Sequence, residues 1–181
     1  MTPTANPWRS SAAGAGDVRL VRLPPAAIHA LADGDLAAAQ RLTPEVLTDH
    51  VVSSGCRAVW RMRSRQLLAS PGDADWITRL IVHASGTTVG RAGFHGPPVD
   101  GMVEVGYEVD PGHRRRGHAR AALRILLDIA DGEPGVHTVR ASVRPDNLPS
   151  QRLVDAFGFQ AVGRQWDEDD GWETVLELGL A

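Results

Sequence analysis

The stretch Val105-Gly106-Tyr107-Glu108-Val109-Asp110-Pro111-Gly112-His113-Arg114-Arg115-Arg116-Gly117-His118-Ala119-Arg120 places an apolar strand, a Pro-Gly turn and a basic glycine-containing loop directly before a helix. A helix start offers unpaired backbone N–H groups and the positive end of the helix dipole, and together these bind anionic oxygens. Gly117 and Ala119 are small enough to let a phosphate approach the main chain, while Arg114, Arg115 and Arg116 surround it with positive charge. These residue types in this order predict an anion site at the end of a strand. They do not name the anion.

Upstream, Glu104 and Glu108 stand four residues apart on the strand Met102 to Val109, so alternation puts both carboxylates on one face. His113 and His118 flank the basic loop with no carboxylate or cysteine at metal-ligand spacing, and no metal site is expected from them. Cys56 is the single cysteine, which excludes an intrachain disulfide and a cysteine-based zinc cluster; it reads as a packed or surface thiol. Trp60, Trp76, Trp166 and Trp172 are candidates for an aromatic pocket. Core positions suit Trp76 and Trp172 better, and Trp166, beside the acidic run Asp167 to Asp170, is the better pocket candidate.

The elements that must position these residues follow from periodicity. A strand over Val18 to Leu23 stops at Pro24-Pro25, and short helices follow over Ala26 to Ala32 and Leu36 to Leu42. Gly55 to Ala69 has an amphipathic helical pattern. Strands are predicted over Trp76 to His83, Thr87 to Phe94 and Met102 to Val109, then a helix over Gly117 to Asp131 with Ala121, Ala122, Ile125, Leu126 and Ile129 on one side. His137 to Val143 is a strand, Leu148 to Phe157 a helix ended by Gly158, and Phe159 to Gln165 and Trp172 to Leu178 are the last strands, with the acidic run at their hairpin tip. This order predicts an α/β sandwich around a mixed, mostly antiparallel central sheet flanked by helices.

At 181 residues the chain has the size of one domain able to bury a core without disulfides or metal. Met1 to Gly16 is rich in small and polar residues and reads as a mobile tail, which leaves residues 17 to 181 as a single domain. No apolar run approaches a bilayer span and the N-terminus lacks a secretory pattern, so a cytoplasmic, membrane-free protein is expected. The formal net charge of -3 argues against a general nucleic-acid binder. All the basic residues are arginines. The absence of lysine excludes the phosphate loop that ends in Lys and Ser or Thr, and the sheet order does not suit a three-glycine dinucleotide loop.

The loop Arg114-x-x-Gly117-x-Ala119 resembles the pyrophosphate loop of the GNAT acetyltransferases. Downstream, Asn147-Leu148-Pro149-Ser150 leading into a helix and a closing Gly158-Phe159 resembles the second signature of that family. With Gly106-Tyr107, the pattern is most similar to the branch that includes ribosomal-protein N-terminal acetyltransferases, from Trp76 to Leu178. The resemblance implies acetyl-CoA as co-substrate. Backbone groups of Tyr107, Glu108 and Val109 would grip the pantetheine arm, with the Val109 N–H as oxyanion donor. Amides from Arg115 to Arg120, His118 included, would hold the pyrophosphate together with Arg114, and Asn147 would contact the pantetheine from the other wall. The tyrosine that many relatives use as acid is replaced by Val154. Ser150 then either donates to the departing thiolate, directly or through water, or makes local helix bonds. Glu104 either serves as the base or is a solvated strand carboxylate.

The reading that follows is an acetyl-CoA-dependent transfer of acetyl to an amine: a protein N-terminus, a peptide or a small molecule. A non-catalytic acyl-CoA-binding module that kept the loop and lost its proton groups is the alternative. The acceptor and the choice between monomer and homodimer stay open.

Overall fold

A computed structural model describes residues 6–168 and 171–180. The elements are β1 (Val18–Val21), α1 (Pro25–Asp33), α2 (Leu36–Arg41), α3 (Ser54–Ala69), β2 (Arg79–His83), β3 (Thr88–Phe94), β4 (Met102–Val109), α4 (His118–Asp131), β5 (Thr138–Val143), α5 (Leu148–Asp155), β6 (Gln160–Asp167) and β7 (Gly171–Gly179). The strands form one sheet in the order β1-β2-β3-β4-β5-β7-β6. Every neighbouring pair is antiparallel except β4 and β5. That parallel pair needs a crossover, and α4 supplies it. The expected mixed, mostly antiparallel sheet is what the chain forms.

Two apolar layers sandwich the sheet. On one side Ala121, Ala122, Ile125, Leu126 and Ala130 of α4 are buried with Val103, Val105 and Val139 beneath them. Their three- and four-residue spacing lays one stripe of α4 on the strands, and burying each Leu or Ile contributes about 1.5–3 kcal/mol. On the other side Ala27, Ile28 and Leu31 of α1 and Trp60 and Leu67 of α3 pack over Leu80 and Val82. This second layer covers the β1 to β3 part of the sheet, and the same face of β4, β5 and β7 carries mainly polar side chains, with Val175 among them.

Three local differences from the sequence reading have physical causes. The strand expected from Trp76 starts at Arg79, because the carbonyl of Asp73 accepts from the amides of both Trp76 and Ile77 and prolongs a 3-10 turn over Pro71–Asp75. The helix expected to reach Phe157 ends at Asp155, where the amides of Phe157 and Phe159 both return to the Val154 carbonyl and Gly158 takes a φ of 88°. The mobile tail expected over Met1 to Gly16 does not describe residues 6–16. Trp8 is 3% exposed and bridges Leu20, its ring lies 5.5 Å from that of Phe94, and the Arg79 guanidinium stacks 3.6 Å above it. Burial lowers the pKa of Arg79 to about 9, so it is still a cation at neutral pH when it meets the indole face. Of the acidic run, Asp167 ends β6, and Asp169 and Asp170 lie outside the described residues.

Candidate active site

The parallel ladder between β4 and β5 pairs Met102 with Thr138, Val103 with Val139, Glu104 with Arg140 and Val105 with Ala141, and stops there. β4 nevertheless runs on to Val109 and β5 to Val143. The outer flank of each strand stays paired, Gly106 to Val109 with β3 and Ser142 to Val143 with β7. The two strands therefore splay, and the backbone groups of Tyr107 and the amide of Val109, which alternate away from β3, line the wedge with no β5 residue paired across from them. Polar main chain in such a position seeks an extended partner.

Directly after the wedge, Pro111–His113 make a 3-10 turn and the chain enters α4 through Arg115 at φ 59° and Gly117 at φ 82°. A Cβ on Gly117 would meet no atom, so glycine is needed there for its left-handed backbone and not for room. No side chain caps α4, which leaves the first-turn amides of His118, Ala119 and Arg120 for an anion. The three arginines differ. All three are exposed, but Arg114 Nε donates to the Val109 carbonyl at 3.0 Å and braces the strand end. The His118 side chain turns inward beside His83, with 5.7 Å between ring centroids. Burial first, then the charges of His83, His113 and Arg116, hold its pKa below the usual value of 6.5. A cavity of about 410 Å³ next to this helix start is lined by Asp17, His83, Thr87, His113, Arg116 and His118 among others.

The second predicted segment closes the far wall. Asn147 caps α5, its side-chain oxygen accepting from the Ser150 amide at 3.3 Å. The Ser150 hydroxyl lies beside the Tyr107 hydroxyl and offsets part of the rise that burial imposes on the tyrosine's pKa. That tyrosine oxygen is buried and meets no partner at full hydrogen-bond geometry among the described residues. Ser150 thus faces β4 across the wedge.

On the opposite face of the sheet, Glu104 and Glu108 lie on one side of β4 as alternation requires, but in different company. Ser142 donates to Glu104 Oε1 at 2.6 Å, and His95 Nδ1 stands 3.8 Å from Glu104 Oε2. Gln165 then donates from one amide nitrogen to Ser142 Oγ and to Glu173 Oε2, both at 3.0 Å. Glu108 is held by Arg91 at 2.6 Å, near His50 and Cys56. His95 sits over Gly106, where a Cβ would approach its Nε2 to 3.0 Å. Its backbone is fixed from below, because Arg63 and Gln66 both donate to the His95 carbonyl at 2.9 and 3.0 Å. Burial lowers the Arg63 pKa to about 10, which leaves it charged at neutral pH. The His95 side chain is 48% exposed, and the protein packed around the rest of it is the main cause that lowers its pKa; Glu104 pulls it up, and Arg63 and Arg91 push it further down. His95 is therefore a neutral imidazole at pH 7 beside a carboxylate, a pair able to accept a proton.

Sequence spacing places none of His95, Arg91, Ser142, Gln165 or Glu173 at the site, since they come from four different strands or their ends. The tryptophans also part from expectation. Trp60 is fully buried and donates to the Val51 carbonyl at 2.9 Å. Trp76 is in the core as expected, but Trp172 is 52% exposed and meets Trp166 edge-on at 5.6 Å. Both alternate away from Gln165 and Glu173, on the other face of the hairpin, so Trp166 does not line the polar face that holds Glu104. Cys56 is buried.

Residues 23–160 match the model of the acetyltransferase (GNAT) domain, and the chain belongs to that family. It is 42% identical over 84 residues to N-alpha-acetyltransferase RimI of Mycobacterium tuberculosis, a match covering 44% of this chain and 50% of that one. It is 36% identical over 72 residues to the uncharacterised N-acetyltransferase YjdG of Bacillus subtilis, covering 39% and 43%. The chain spans about half the length of the curated relatives it matches. Among solved structures, Mycobacterium smegmatis RimJ in complex with a CoA disulfide superposes with a TM-score of 0.64 at 23% identity, covering 98% of this chain and 88% of that one. This likeness is one of fold.

Proposed function

We propose that the chain transfers an acetyl group from acetyl-CoA directly to an amine. One observation carries this reading: the β4–β5 ladder stops at Val105 and Ala141 immediately before an uncapped helix start. An extended pantetheine would add to the open edge of Tyr107 to Val109, and its pyrophosphate would meet the first turn of α4 at Gly117, His118, Ala119 and Arg120. The cavity beside His83 and Arg116 leaves room for the nucleotide end. The thioester would then lie in the wedge, between the Val109 amide as oxyanion donor and Ser150 as proton donor to the thiolate. Asn147, already occupied in capping α5, would reach the pantetheine with its amide nitrogen.

The amine arrives from the polar face. Direct transfer needs it neutral, and Glu104 beside neutral His95 takes the ammonium proton, with Ser142 holding the carboxylate in place. The acceptor is an amine of a protein N-terminus, a peptide or a small molecule. A match to an N-alpha-acetyltransferase over half of its length supports the first of these, and the protein functions as a monomer or a homodimer. The deciding experiment is thiol release from acetyl-CoA over a panel of amines and N-terminal peptides, with CoA binding measured alongside. Turnover of at least one amine is expected. Tight binding with no turnover on any of them would instead favour a non-catalytic acyl-CoA-binding module.

A further inference from the structure

His50, Cys56 and Glu108 converge on one point of the acceptor-side face, although they come from a 3-10 turn, the first turn of α3 and the far end of β4. One ligand atom from each lies within 4.8 Å of the other two. Cys56 Sγ is 3.6 Å from His50 Nε2, His50 Nε2 is 3.5 Å from Glu108 Oε1, and Cys56 Sγ is 3.8 Å from Glu108 Oε2. A tetrahedral zinc ion with bonds of about 2.0–2.3 Å separates its ligand atoms by about 3.4–3.6 Å. The two edges that meet at His50 Nε2 match that spacing, and the edge from Cys56 to the carboxylate, measured to its other oxygen, is a few tenths of an ångström longer.

The ligands are held in place before any ion arrives. Trp60 donates to the Val51 carbonyl at 2.9 Å and ties the turn that carries His50 to α3. Ser53 caps α3 by accepting from the Cys56 amide, and its own amide returns to the His50 carbonyl at 2.9 Å. Arg91 grips Glu108 Oε2 at 2.6 Å, so Oε1 is the oxygen turned to the imidazole. The guanidinium also offsets one of the two negative charges that a thiolate and a carboxylate would bring together. Cys56 is buried, whereas the Glu108 side chain is 28% exposed, so an ion reaches the site from the Glu108 side and keeps its fourth position toward solvent.

We infer that His50, Cys56 and Glu108 form a three-ligand site for a divalent metal ion of the zinc type, with the fourth position taken by water or a ligand. One soft thiolate, one imidazole and one carboxylate select zinc, or cobalt as its spectroscopic stand-in, over magnesium or calcium, which require all-oxygen sets. Binding releases the thiol proton to solvent and forms the metal–sulfur bond; no electron is exchanged. The site does not depend on the acyltransferase reading, and its test does not use turnover.

Titration of the metal-free full chain with Co2+ tests the inference. One equivalent is expected to bring up a near-ultraviolet thiolate-to-cobalt band together with the intense visible bands of a four-coordinate ion, and added Zn2+ should bleach both. Cys56→Ser should abolish the thiolate band, and His50→Ala and Glu108→Gln should each weaken binding by about ten- to a hundredfold. Because Cys56 is packed, the two other variants keep the test sound if Cys56→Ser folds poorly. Absence of a thiolate band at excess Co2+ overturns the inference. So does a band that His50→Ala and Glu108→Gln both leave at unchanged affinity, which would report an isolated thiol.

Discussion

The two faces of β4 are built on different logics. On the wedge side the contributing parts are main chain: an interrupted ladder, a helix start without a side-chain cap, and Gly117 at a left-handed φ. On the other face the parts are side chains gathered from distant points: Glu104, Ser142, Gln165 and Glu173 along one run of hydrogen bonds, His95 3.8 Å from Glu104, and Glu108 with Arg91 next to it. A backbone site is specified by short consecutive sequence, since turns and helix starts are local. A side-chain site is specified by register, which no contiguous motif records. One face is suited to a ligand common to many relatives, and the other can be altered residue by residue.

The sharpest way to break this comparison is at Gly117. Gly117→Glu should abolish acetyl-CoA binding while the chain still melts cooperatively, and Gly117→Ala should retain most of it. Both variants pay the same backbone penalty at φ 82°, about 1–2 kcal/mol, so the difference isolates charge and bulk at the helix start. Calorimetric titration reads it. Equal affinities in the two variants would remove the phosphates from this turn.

Next in size is Glu104→Gln, which should lower kcat by about a hundredfold or more, the scale of a positioned base, with acetyl-CoA affinity nearly unchanged. Ser150→Ala should cost less, because water can replace a hydroxyl. The pH profile of kcat/KM for each variant is the check. A parental rate and an unshifted rising limb in Glu104→Gln would return that carboxylate to a structural role and leave His95 as the remaining base.

A smaller effect concerns acid stability. His118, which is buried, and His95, which is only partly so, both have their pKa values lowered, chiefly by desolvation. In the unfolded chain they take up protons near the usual value of about 6.5, while the folded imidazoles resist protonation to lower pH. Between those limits the unfolded state binds more protons, so stability is full above about 6.5 and is lost as pH falls through the folded values. Melting temperature should drop from about pH 7.5 to about pH 5.5, and His118→Asn should flatten that slope if the variant folds. An unaltered slope would mean that other groups dominate.

The smallest effect separates the arginines. Arg115→Ala and Arg116→Ala should each weaken CoA binding by up to about 1 kcal/mol, as for charges near a helix start, and should lessen its salt dependence. Arg114→Ala should instead act through the strand end it braces, with a change in affinity that salt does not alter. If all three leave affinity and salt dependence untouched, amides alone hold the anion.

How much of this was legible beforehand follows the same division. The seven strands and the mostly antiparallel character of their sheet, the turn before Gly117, and the Asn147 to Gly158 segment could all be read from period, element order and turn residues. The positions of His95, Ser142 and Glu173 could not, because they depend on which strand pairs with which and in what register. Trp172 shows the limit plainly: a large aromatic in an apolar strand suggests core, but it lies near the tip of an edge hairpin, with Trp166 edge-on to it and Arg164 over its ring. Trp8 shows the reverse, since its polar and small neighbours hide a residue anchored by stacking on Arg79 and Phe94.

That anchor bears on how molecules meet one another. β1 is one edge of the sheet, and its outward amides are answered from within the chain: Trp8 exchanges two hydrogen bonds with Leu20 at 2.9 and 3.0 Å, and the Val18 amide reaches the Ala15 carbonyl. At the other edge β6 is exposed from Gln160 through Arg164. Among the described residues the sheet thus has one covered and one open border, and two copies joined through β6 would use up the open edge of each, leaving the covered border of β1 as a poor start for a fibre.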